Sequence, residues 1–480
     1  MERETLQRLA AHQELSADEI EALIDAIDRD ALAETSIAAF LMGLLSKGVT
    51  SGETTAIVQA MSVRAVQIAP RTREPLLDTC GTGGGLSTFN ISTATALVCA
   101  AAGIPVAKHG SRSLCSLSGS ADVLEALGVA IDLPPPAIER LIEDVGIGFI
   151  HAPNFHPLMR RLLPIEASLG IKTIFYSLIG PLINPARARR HLLGVYRHDW
   201  QAMTAEVVRS IGQQRAMVVH GLDGVDEISL LGPTCIHELG PDGLSVYEIT
   251  PETFGLARCR LEDIRSLGPQ GNAELLRQVF SGRQRGPARD AIVLNSAGAL
   301  ILGERAANFA EGIALACELL DSGATAGKLA ELVEASQALS DRLPLVPPAP
   351  LDETRRLRTA EHIWNGLLDA SPDGILLLGA DGVVERTNAN ACLQLGQDPD
   401  QLVGRAYGQL LEAGIAELRL KKIAEALLSG HARRWEDEVT GQYYGMTAIP
   451  IDDGSGLVLI SRESASRCEP PHPSRTSALV

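Results

Sequence analysis

The 480-residue chain lacks three features that would each have defined a class of protein. None of its eight cysteines forms a C-x-x-C pair or a His/Cys cluster with zinc spacing, so we expect reduced thiols and no disulfide framework. No run approaches the roughly 20 apolar residues that a membrane helix needs. The charged, amphipathic amino terminus does not have the pattern of a signal peptide. Together these absences predict a cytoplasmic protein.

Positive charge is also scarce, because 59 acidic residues outweigh 42 lysines and arginines and give a formal net charge of −17. An acidic surface repels phosphate, which argues against general binding to nucleic acid or to an anionic membrane. A local cationic pocket for a small anion is still allowed. The composition is otherwise that of a globular protein, and the length suggests roughly three structural units.

Within the first two thirds of the chain, the pattern of apolar residues changes near residue 70. Residues 1–70 repeat apolar residues at helical spacing, and Ser16 and Ser51 are the expected N-caps of two helices. Residues 71–342 alternate short apolar runs, bounded by glycine, with helical stretches. This alternation predicts an α/β domain with a mostly parallel sheet flanked by helices.

The remainder of the chain has a different pattern. A Pro-rich stretch, residues 343–357, has the composition of a semi-rigid linker. Residues 358–463 hold paired apolar runs split by turn signals such as Ala-Asp-Gly, which predicts an antiparallel sheet. Residues 464–480 have the composition of a disordered tail. We therefore expect a helical domain, an α/β domain, a linker, a second α+β domain and a tail.

The stretch DTCGTGGGLSTFNIST, residues 78–93, places a glycine-rich turn between a predicted strand and a predicted helix. Such a turn exposes backbone N–H groups near the positive end of the helix, a geometry that suits phosphate. A turn that merely packs closely against its neighbours would need the same glycines. Asn90, Ser92 and Thr93, on the first helical turn, favour the phosphate interpretation because they add donors for anion oxygens.

A second loop, KHGSRSLCSLSGSAD at residues 108–122, combines two cations with small polar residues. Lys108 and Arg112 make it a candidate phosphate cradle, and a plain surface loop is the alternative. Both loops follow strands of the predicted sheet. They would therefore meet at the edge where open α/β sheets bind ligands.

Two adjacent acids, Asp226 and Glu227, form the third element of the candidate site. Acid pairs on loops are usually just solvated. Opposite a pyrophosphate they would instead complete a Mg²⁺ site, because Mg²⁺ takes carboxylate together with phosphate oxygens.

From about residue 5 to 340 the chain resembles the anthranilate phosphoribosyltransferases of the nucleoside phosphorylase-like group. The resemblance rests on G-T-G-G, N-I-S-T, K-H-G-x-R-S, G-S-A-D-V-L-E-A-L-G-V, H-P-x-M, G-P-L-x-N-P and the Asp-Glu pair. It implies a small helical domain joined to a larger α/β domain, usually dimeric through the helical part. It also implies transfer of phosphoribosyl from phosphoribosyl pyrophosphate to anthranilate in tryptophan biosynthesis, with Mg²⁺ and release of pyrophosphate.

The resemblance also assigns roles to individual residues. The binding site for phosphoribosyl pyrophosphate would be lined by residues of the glycine turn, the helix after it and the basic loop: Gly81, Gly84, Thr88, Asn90, Ile91, Ser92, Thr93, Lys108, His109, Gly110, Ser111, Arg112, Ser113, Ser116 and Ser120. Ser92, Asp226 and Glu227 would hold Mg²⁺. No protein nucleophile is required, because departure of pyrophosphate leaves an oxocarbenium-like sugar that the protein mainly has to stabilise.

Four departures from the family pattern fall in this site. The glycine turn is one residue short and lacks the family's Asp after Gly84, and Ser111 replaces an Asn that faces anthranilate. Glu166 stands where the family has the Arg that pairs with the anthranilate carboxylate, and a Glu would repel that group unless the alignment shifts there. The stretch around Tyr176-Ser177 carries one residue more than the family's Phe-Asn-Leu-Leu-Gly-Pro.

The phosphoribosyl half of the site is therefore kept, while the acceptor half is altered. Arg160 and Arg161 are candidate replacements for the missing cation, and His109, His151 and His156 are further candidates for contact with the acceptor. Two alternatives to the implied activity stay open. One is transfer to another nitrogenous acceptor, and the other is a weakened, ligand-binding or sensory protein coupled to its second domain.

Residues 358–463 resemble a PAS domain, a small sensory or dimerising module with helices on one side of an antiparallel sheet. The resemblance rests on Ser-Pro-Asp-Gly, the hairpin, Thr-Asn-x-x-Ala-Cys and Leu-Val-Gly-Arg. The residues around Cys392 lack a flavin-type motif, and no haem signature is present, so we expect a PAS domain without cofactor. It would regulate the preceding domain through a small ligand or protein partner, or add dimer contacts.

Overall fold

The computed structural model describes residues 2–83, 85–113, 117–169, 173–342, 374–379, 381–395, 397–410, 419–424, 433–439, 442–450 and 456–464. The chain forms two compact units, Met1–Ala349 and Pro350–Val480. The predicted linker and nearly all of the predicted tail lie outside the described residues, so these boundaries stay predictions. Within the described ranges, no helix combines the length and apolar character needed to cross a membrane.

The first unit is built from helices and one sheet. Its α-helices are α1 (Glu2–Ala10), α2 (Ala17–Asp28), α3 (Glu34–Lys47), α4 (Ser51–Arg64), α5 (Ile91–Ala101), α6 (Ser120–Leu127), α7 (Pro135–Asp144), α8 (Ala152–Phe155), α9 (Met159–Leu169), α10 (Gly180–Leu182), α11 (His198–Ser210), α12 (Leu261–Ile264), α13 (Gly268–Phe280), α14 (Pro287–Leu302), α15 (Phe309–Asp321) and α16 (Ala324–Arg342). A π-helix spans Phe175–Ile179, and a 3-10 helix spans Pro251–Phe254. The strands are β1 (Leu77–Gly81), β2 (Val106–Gly110), β3 (Ile147–His151), β4 (Arg190–Gly194), β5 (Arg215–Gly221), β6 (Thr234–Gly240) and β7 (Gly243–Ile249).

The N-caps of α2 and α4 show how the sequence fixes the ends of the first helices. Ser16 caps α2, as predicted, in a reciprocal capping box with Glu19. The prediction of Ser51 as the next cap was wrong. Thr50 is the N-cap of α4, because its hydroxyl accepts from Glu53 N at 3.1 Å while the Glu53 carboxylate accepts from Thr50 N at 3.0 Å.

The sheet has the strand order β3-β2-β1-β4-β5-β6-β7. The first five strands are parallel and the β6–β7 hairpin is antiparallel, which confirms the predicted mostly parallel sheet. Gly81 pairs with Gly194, and Gly110 pairs with His151, so β1, β2, β3 and β4 end at the same level. The glycine turn and the basic loop therefore leave the sheet side by side.

Two apolar cores cover the two faces of this sheet. Met217 and Val219 of β5 face a core that contains α5 and the almost wholly buried α14. Val218, between them, faces a second core that joins the sheet to α2, α3, α9 and the π-helix. In that second core the rings of Phe40 and Phe175 meet edge to face at 5.9 Å. The amino-terminal helices thus support the segment that follows β3.

The second unit contains an antiparallel sheet with the order β10-β11-β12-β8-β9. Its strands are β8 (Gly374–Gly379), β9 (Val384–Thr387), β10 (Arg433–Val439), β11 (Gln442–Pro450) and β12 (Gly456–Ser464), with helices at Ala389–Leu395, Pro399–Leu402 and Tyr407–Leu410. Leu376, Tyr407, Met446 and Leu459 are among the residues of its apolar core. The predicted α+β architecture is confirmed.

Candidate active site

A cavity of about 270 Å³ lies where the glycine turn, the basic loop and the acid pair meet. Most residues assigned from the sequence line it: Gly81, Thr88, Asn90, Ile91, Ser92, Thr93, Lys108, His109, Gly110, Ser111, Arg112, Ser113, Ser120, Asp226 and Glu227. Gly84 and Ser116 lie outside the described residues. The three separate sequence motifs therefore form one site, as their positions after neighbouring strands predict.

The glycines of the turn allow it to pass directly against the loop that carries the acids. A Cβ at Gly81 would collide with the Asp226 carboxylate, and one at Gly85 would lie 2.5 Å from the Gly224 carbonyl oxygen. Gly83 has a φ of +62°, and its N–H donates to Asp226 Oδ2 at 2.7 Å. The turn therefore packs closely, as one interpretation of its glycines predicts, and it also lines the cavity; phosphate binding there stays a prediction.

The first turn of α5 connects the glycine turn to the basic loop. Asn90 Oδ1 accepts hydrogen bonds from Ser118 Oγ at 3.0 Å and Asn272 Nδ2 at 2.8 Å. The buried Thr93 hydroxyl has no hydrogen-bond partner among the described residues, although it lines the cavity. A buried hydroxyl without a partner costs free energy, so this one is available for a ligand oxygen.

The two cations of the basic loop have different roles. Lys108 is buried on β2, and its ammonium donates to the Thr79 carbonyl oxygen at 2.6 Å. Arg112 is half exposed and forms ion pairs with Glu125 at 2.8 Å and Asp122 at 3.0 Å, which raise its pKa. Because Arg112 is held by α6 in this structure, a phosphate would have to draw it away from those acids.

The acid pair has the properties of a cation site. Burial raises the pKa of Glu227 to about 8, and the like charge of Asp226 adds to that rise. Lys108 and a hydrogen bond from the Ser92 backbone act in the opposite direction. Two adjacent carboxylates are oxygen donors of the kind that Mg²⁺ takes together with phosphate oxygens, and Ser92 lines the same cavity. The residues present therefore fit the ion that the sequence predicts.

The opposite half of the cavity is largely apolar, and the residue assignments from sequence missed most of it. Its lining comes from α8, α9, the π-helix and the segment after it: Ala152, Pro153, His156, Met159, Arg160, Leu163, Tyr176, Gly180, Pro181 and Ile183. The Nε2 atoms of His109 and His156 are 3.0 Å apart. Burial lowers the pKa of both rings, that of His156 to about 4, so the pair is neutral near pH 7. The H-P-x-M and G-P-L-x-N-P motifs were the sequence signals for this half.

The extra residue near Tyr176 is accommodated by the π-helix Phe175–Ile179. A π-helical turn holds more residues than an α-helical turn, because its hydrogen bonds join residues i and i+5. The insertion is thus absorbed within the helix, and Tyr176 still lines the cavity.

Glu166 does not take the position that the comparison of motifs suggests. It is buried, its carboxylate accepts a hydrogen bond from Thr173 N, and it is not part of the lining of this cavity. His151 is likewise absent from the lining of this cavity, and its Nδ1 lies 2.7 Å from Asp132 Oδ1. Glu166 therefore makes no contact within the cavity through which it could repel an acceptor carboxylate.

A group of Asp78, Cys80 and His191 lies beside the cavity with metal-ligand atoms close together. The Asp78 carboxylate already accepts from Thr79 N at 2.8 Å and from Asn184 Nδ2 at 2.7 Å. Cys80 Sγ lies 3.1 Å from His191 Nε2. The Cys80–His191 contact joins β1 to β4, and the Asp78 contact joins β1 to the segment after α10, so the three residues have a structural role.

Comparison with known protein families divides the chain in the same way as its fold. Residues 73–326 match the family described as "Glycosyl transferase family, a/b domain", and residues 3–65 match "Glycosyl transferase family, helical bundle domain". Residues 368–467 match "PAS fold". The predicted resemblance to both kinds of protein is confirmed.

Curated relatives match about two thirds of this chain. The anthranilate phosphoribosyltransferase of Parvibaculum lavamentivorans is 45% identical over 330 residues, which are 68% of this chain and 96% of the relative. That of Acetivibrio thermocellus is 44% identical over 335 residues, 70% of this chain and 96% of the relative.

Solved structures give the same result for the fold. Anthranilate phosphoribosyltransferase from Thermus thermophilus superposes with a TM-score of 0.65 at 38% identity, covering 69% of this chain and 99% of that one. The Saccharomyces cerevisiae enzyme in complex with PRPP and Mg gives a TM-score of 0.65 at 26% identity, over 69% and 97% of the two chains. The same yeast enzyme has also been solved with 4-fluoroanthranilate, with a TM-score of 0.62, 26% identity and the same coverage.

Proposed function

The chain belongs to the anthranilate phosphoribosyltransferase family, and from this we propose that it transfers phosphoribosyl from phosphoribosyl pyrophosphate to anthranilate in tryptophan biosynthesis. The enzyme is thus a glycosyltransferase of the pentosyltransferase type. The observation that carries the proposal is one cavity with two unlike halves. Donors and acids for a metal-bound pyrophosphate line one half, and apolar groups around a neutral histidine pair line the other.

The donor half supports binding of the sugar pyrophosphate. The glycine turn and the first turn of α5 line the cavity, and the Thr93 hydroxyl is available there. Ser92, Asp226 and Glu227 would hold Mg²⁺. When bound, this ion neutralises charge that develops on the leaving pyrophosphate.

The acceptor half supports binding of a flat aromatic amine. Met159, Leu163, Pro181 and Ile183 offer apolar surface for a ring, as small-molecule sites generally do. The neutral pair of His109 and His156 adds no charge that would have to be desolvated. An aromatic amine held there would face the sugar in the donor half, which is the positioning that the reaction needs.

The reaction exchanges one bond for another at C1 of the ribose. The bond from C1 to the pyrophosphate oxygen breaks, and its electron pair leaves with pyrophosphate. The lone pair of the acceptor nitrogen forms the new bond to C1, and that nitrogen loses a proton to solvent. No protein nucleophile takes part, so the chain acts by holding both substrates in line and stabilising the leaving anion.

Turnover is measured directly by incubating the full-length protein with phosphoribosyl pyrophosphate, Mg²⁺ and anthranilate and following anthranilate fluorescence. We expect the fluorescence to fall with time and EDTA to stop the loss, because the acid pair requires a cation to hold the diphosphate. Binding of phosphoribosyl pyrophosphate without consumption of anthranilate would contradict the proposed acceptor. It would favour another nitrogenous acceptor or a ligand-binding, sensory role.

Three further parts of the proposal rest on the sequence and the family resemblance. They are a homodimer, formed through the helical domain, a cytoplasmic location, and regulation through a ligand or partner of the PAS domain. In the predicted five-region organisation, binding of a ligand or partner to the PAS domain would act on the catalytic unit through the Pro-rich linker at 343–357. These points stay predictions.

A further inference from the structure

We propose that Arg160 binds the carboxylate of the acceptor, in place of the family arginine whose position Glu166 occupies. The inference rests on the proposed function, because it concerns the acceptor of that same reaction. Arg160, about 1.7 helical turns before Glu166 in α9, would thus give this chain its selectivity for an anionic aromatic amine.

The two candidate arginines of α9 lie in different environments. Arg161 is held by the amino-terminal helices, where it donates to the Ile27 carbonyl oxygen at 2.7 Å and pairs with Asp30 at 2.9 Å. Arg160 lines the cavity instead, beside His156 and Met159. The fold therefore separates two neighbouring residues that the sequence leaves equivalent.

Arg160 is a cavity cation on the acceptor side that forms no ion pair with any described residue. Its Nε donates to the Pro153 carbonyl oxygen at 3.2 Å, and none of the ion pairs found in the described ranges includes it. Arg112 is paired with Asp122 and Glu125, and Lys108 is buried against Thr79 on the donor side. A guanidinium held through Nε keeps its two Nη groups for a planar carboxylate.

The geometry of α9 explains why Glu166 does not oppose such a carboxylate. Residues six positions apart on an α-helix point about 120° away from each other. Arg160 and Leu163 face the cavity, whereas Glu166 is buried and accepts from Thr173 N. Position 166 of this chain thus carries a buried hydrogen-bond acceptor, where the family resemblance implies an Arg that pairs with the acceptor, and Arg160 supplies the charge instead.

The test compares anthranilate with its neutral isostere 2-aminobenzamide as acceptors. The wild-type protein is expected to prefer anthranilate, and Arg160→Gln to raise the KM for anthranilate roughly 10- to 100-fold. The same variant should leave the KM for phosphoribosyl pyrophosphate within about threefold and reduce the preference for anthranilate over the amide by a similar factor. Arg160→Lys, which keeps the charge, should restore part of that preference.

Matched controls are available on the same helix. Arg161→Gln removes the neighbouring arginine, and Glu166→Gln removes the charge of the buried acid while keeping an acceptor for Thr173 N. Both should leave the preference for anthranilate unchanged. The role of Arg160 would be overturned if Arg160→Gln kept the wild-type preference for anthranilate over the amide. It would also be overturned if Glu166→Gln raised that preference tenfold or more.

The inference and the proposed function fail in distinguishable ways. If the wild type consumes no anthranilate, the proposed function fails. The role of Arg160 is then tested by titrating anthranilate into the wild type and into Arg160→Gln, with anthranilate fluorescence as the measure of binding. Weaker binding by the variant supports Arg160, and equal binding overturns it. Should Arg160→Gln fold poorly, Arg160→Met, which retains the apolar stem, serves in both measurements.

Discussion

The substitution Glu227→Gln is expected to lower kcat/KM for phosphoribosyl pyrophosphate roughly 10²- to 10³-fold, because a preorganised electrostatic contact to the leaving pyrophosphate is lost. Burial raises the pKa of Glu227 to about 8, so Gln resembles the protonated side chain of the ligand-free protein. The fold should therefore survive the change. Steady-state kinetics at several Mg²⁺ concentrations measure the effect.

The matched control for this variant is Glu248→Gln, which makes the same substitution at an exposed position on β7. Its kinetics should equal those of the wild type. An activity of Glu227→Gln within about threefold of the wild type, at every Mg²⁺ concentration, would contradict a role of this acid in holding the metal.

Gly194→Ala is expected to lower activity about 10²-fold without touching a ligand-binding side chain. Gly194 ends β4, and a Cβ there would collide with the Asp226 backbone. The acid loop would have to move away from the glycine turn, and a displacement of about 1 Å in a catalytic group can cost that much. Kinetics together with a thermal melt separate this displacement from a loss of folded protein.

The control for Gly194→Ala is Gly240→Ala, which adds the same methyl group at the end of β6. No atom lies within 4 Å of a Cβ at Gly240, so activity and melting temperature should be unchanged. If Gly194→Ala retained full activity, the close contact between β4 and the acid loop would not be needed to position Asp226.

The donor half of the site could be predicted from the sequence because its parts are local. The glycine turn, the first turn of α5 and the Lys108 loop each follow a strand of a parallel sheet, and the carboxyl ends of such strands meet at one edge. Composition and order were therefore sufficient to bring Asn90, Lys108 and Asp226 together. The fold class followed from the same alternation of short apolar runs and helices.

The acceptor half could not be predicted in the same way, because it depends on the direction of side chains. Arg160 and Arg161 are equivalent in sequence, and packing against Ile27 and Asp30 decides which one faces the amino-terminal helices. The ion pair of Arg112 with Glu125 likewise depends on where α6 lies. The π-helix that absorbs the extra residue is a backbone adjustment for which the sequence carries no periodic signal.

The sequence of the second domain likewise predicts its architecture but not what it binds. Strand pairing in β8–β12 agrees with the alternating pattern, so the architecture could be predicted. A ligand or partner of such a domain is selected by side chains rather than by strand order. Its identity therefore did not follow from the sequence.

We propose that the glycine turn, the basic loop and the acid pair together hold one sugar diphosphate with Mg²⁺. Isothermal titration calorimetry of phosphoribosyl pyrophosphate into the full-length protein, with Mg²⁺ and with EDTA, measures this binding independently of turnover. We expect saturable binding with a stoichiometry of about one per chain when Mg²⁺ is present, and much weaker binding in EDTA. Absence of binding in the presence of Mg²⁺ would contradict it.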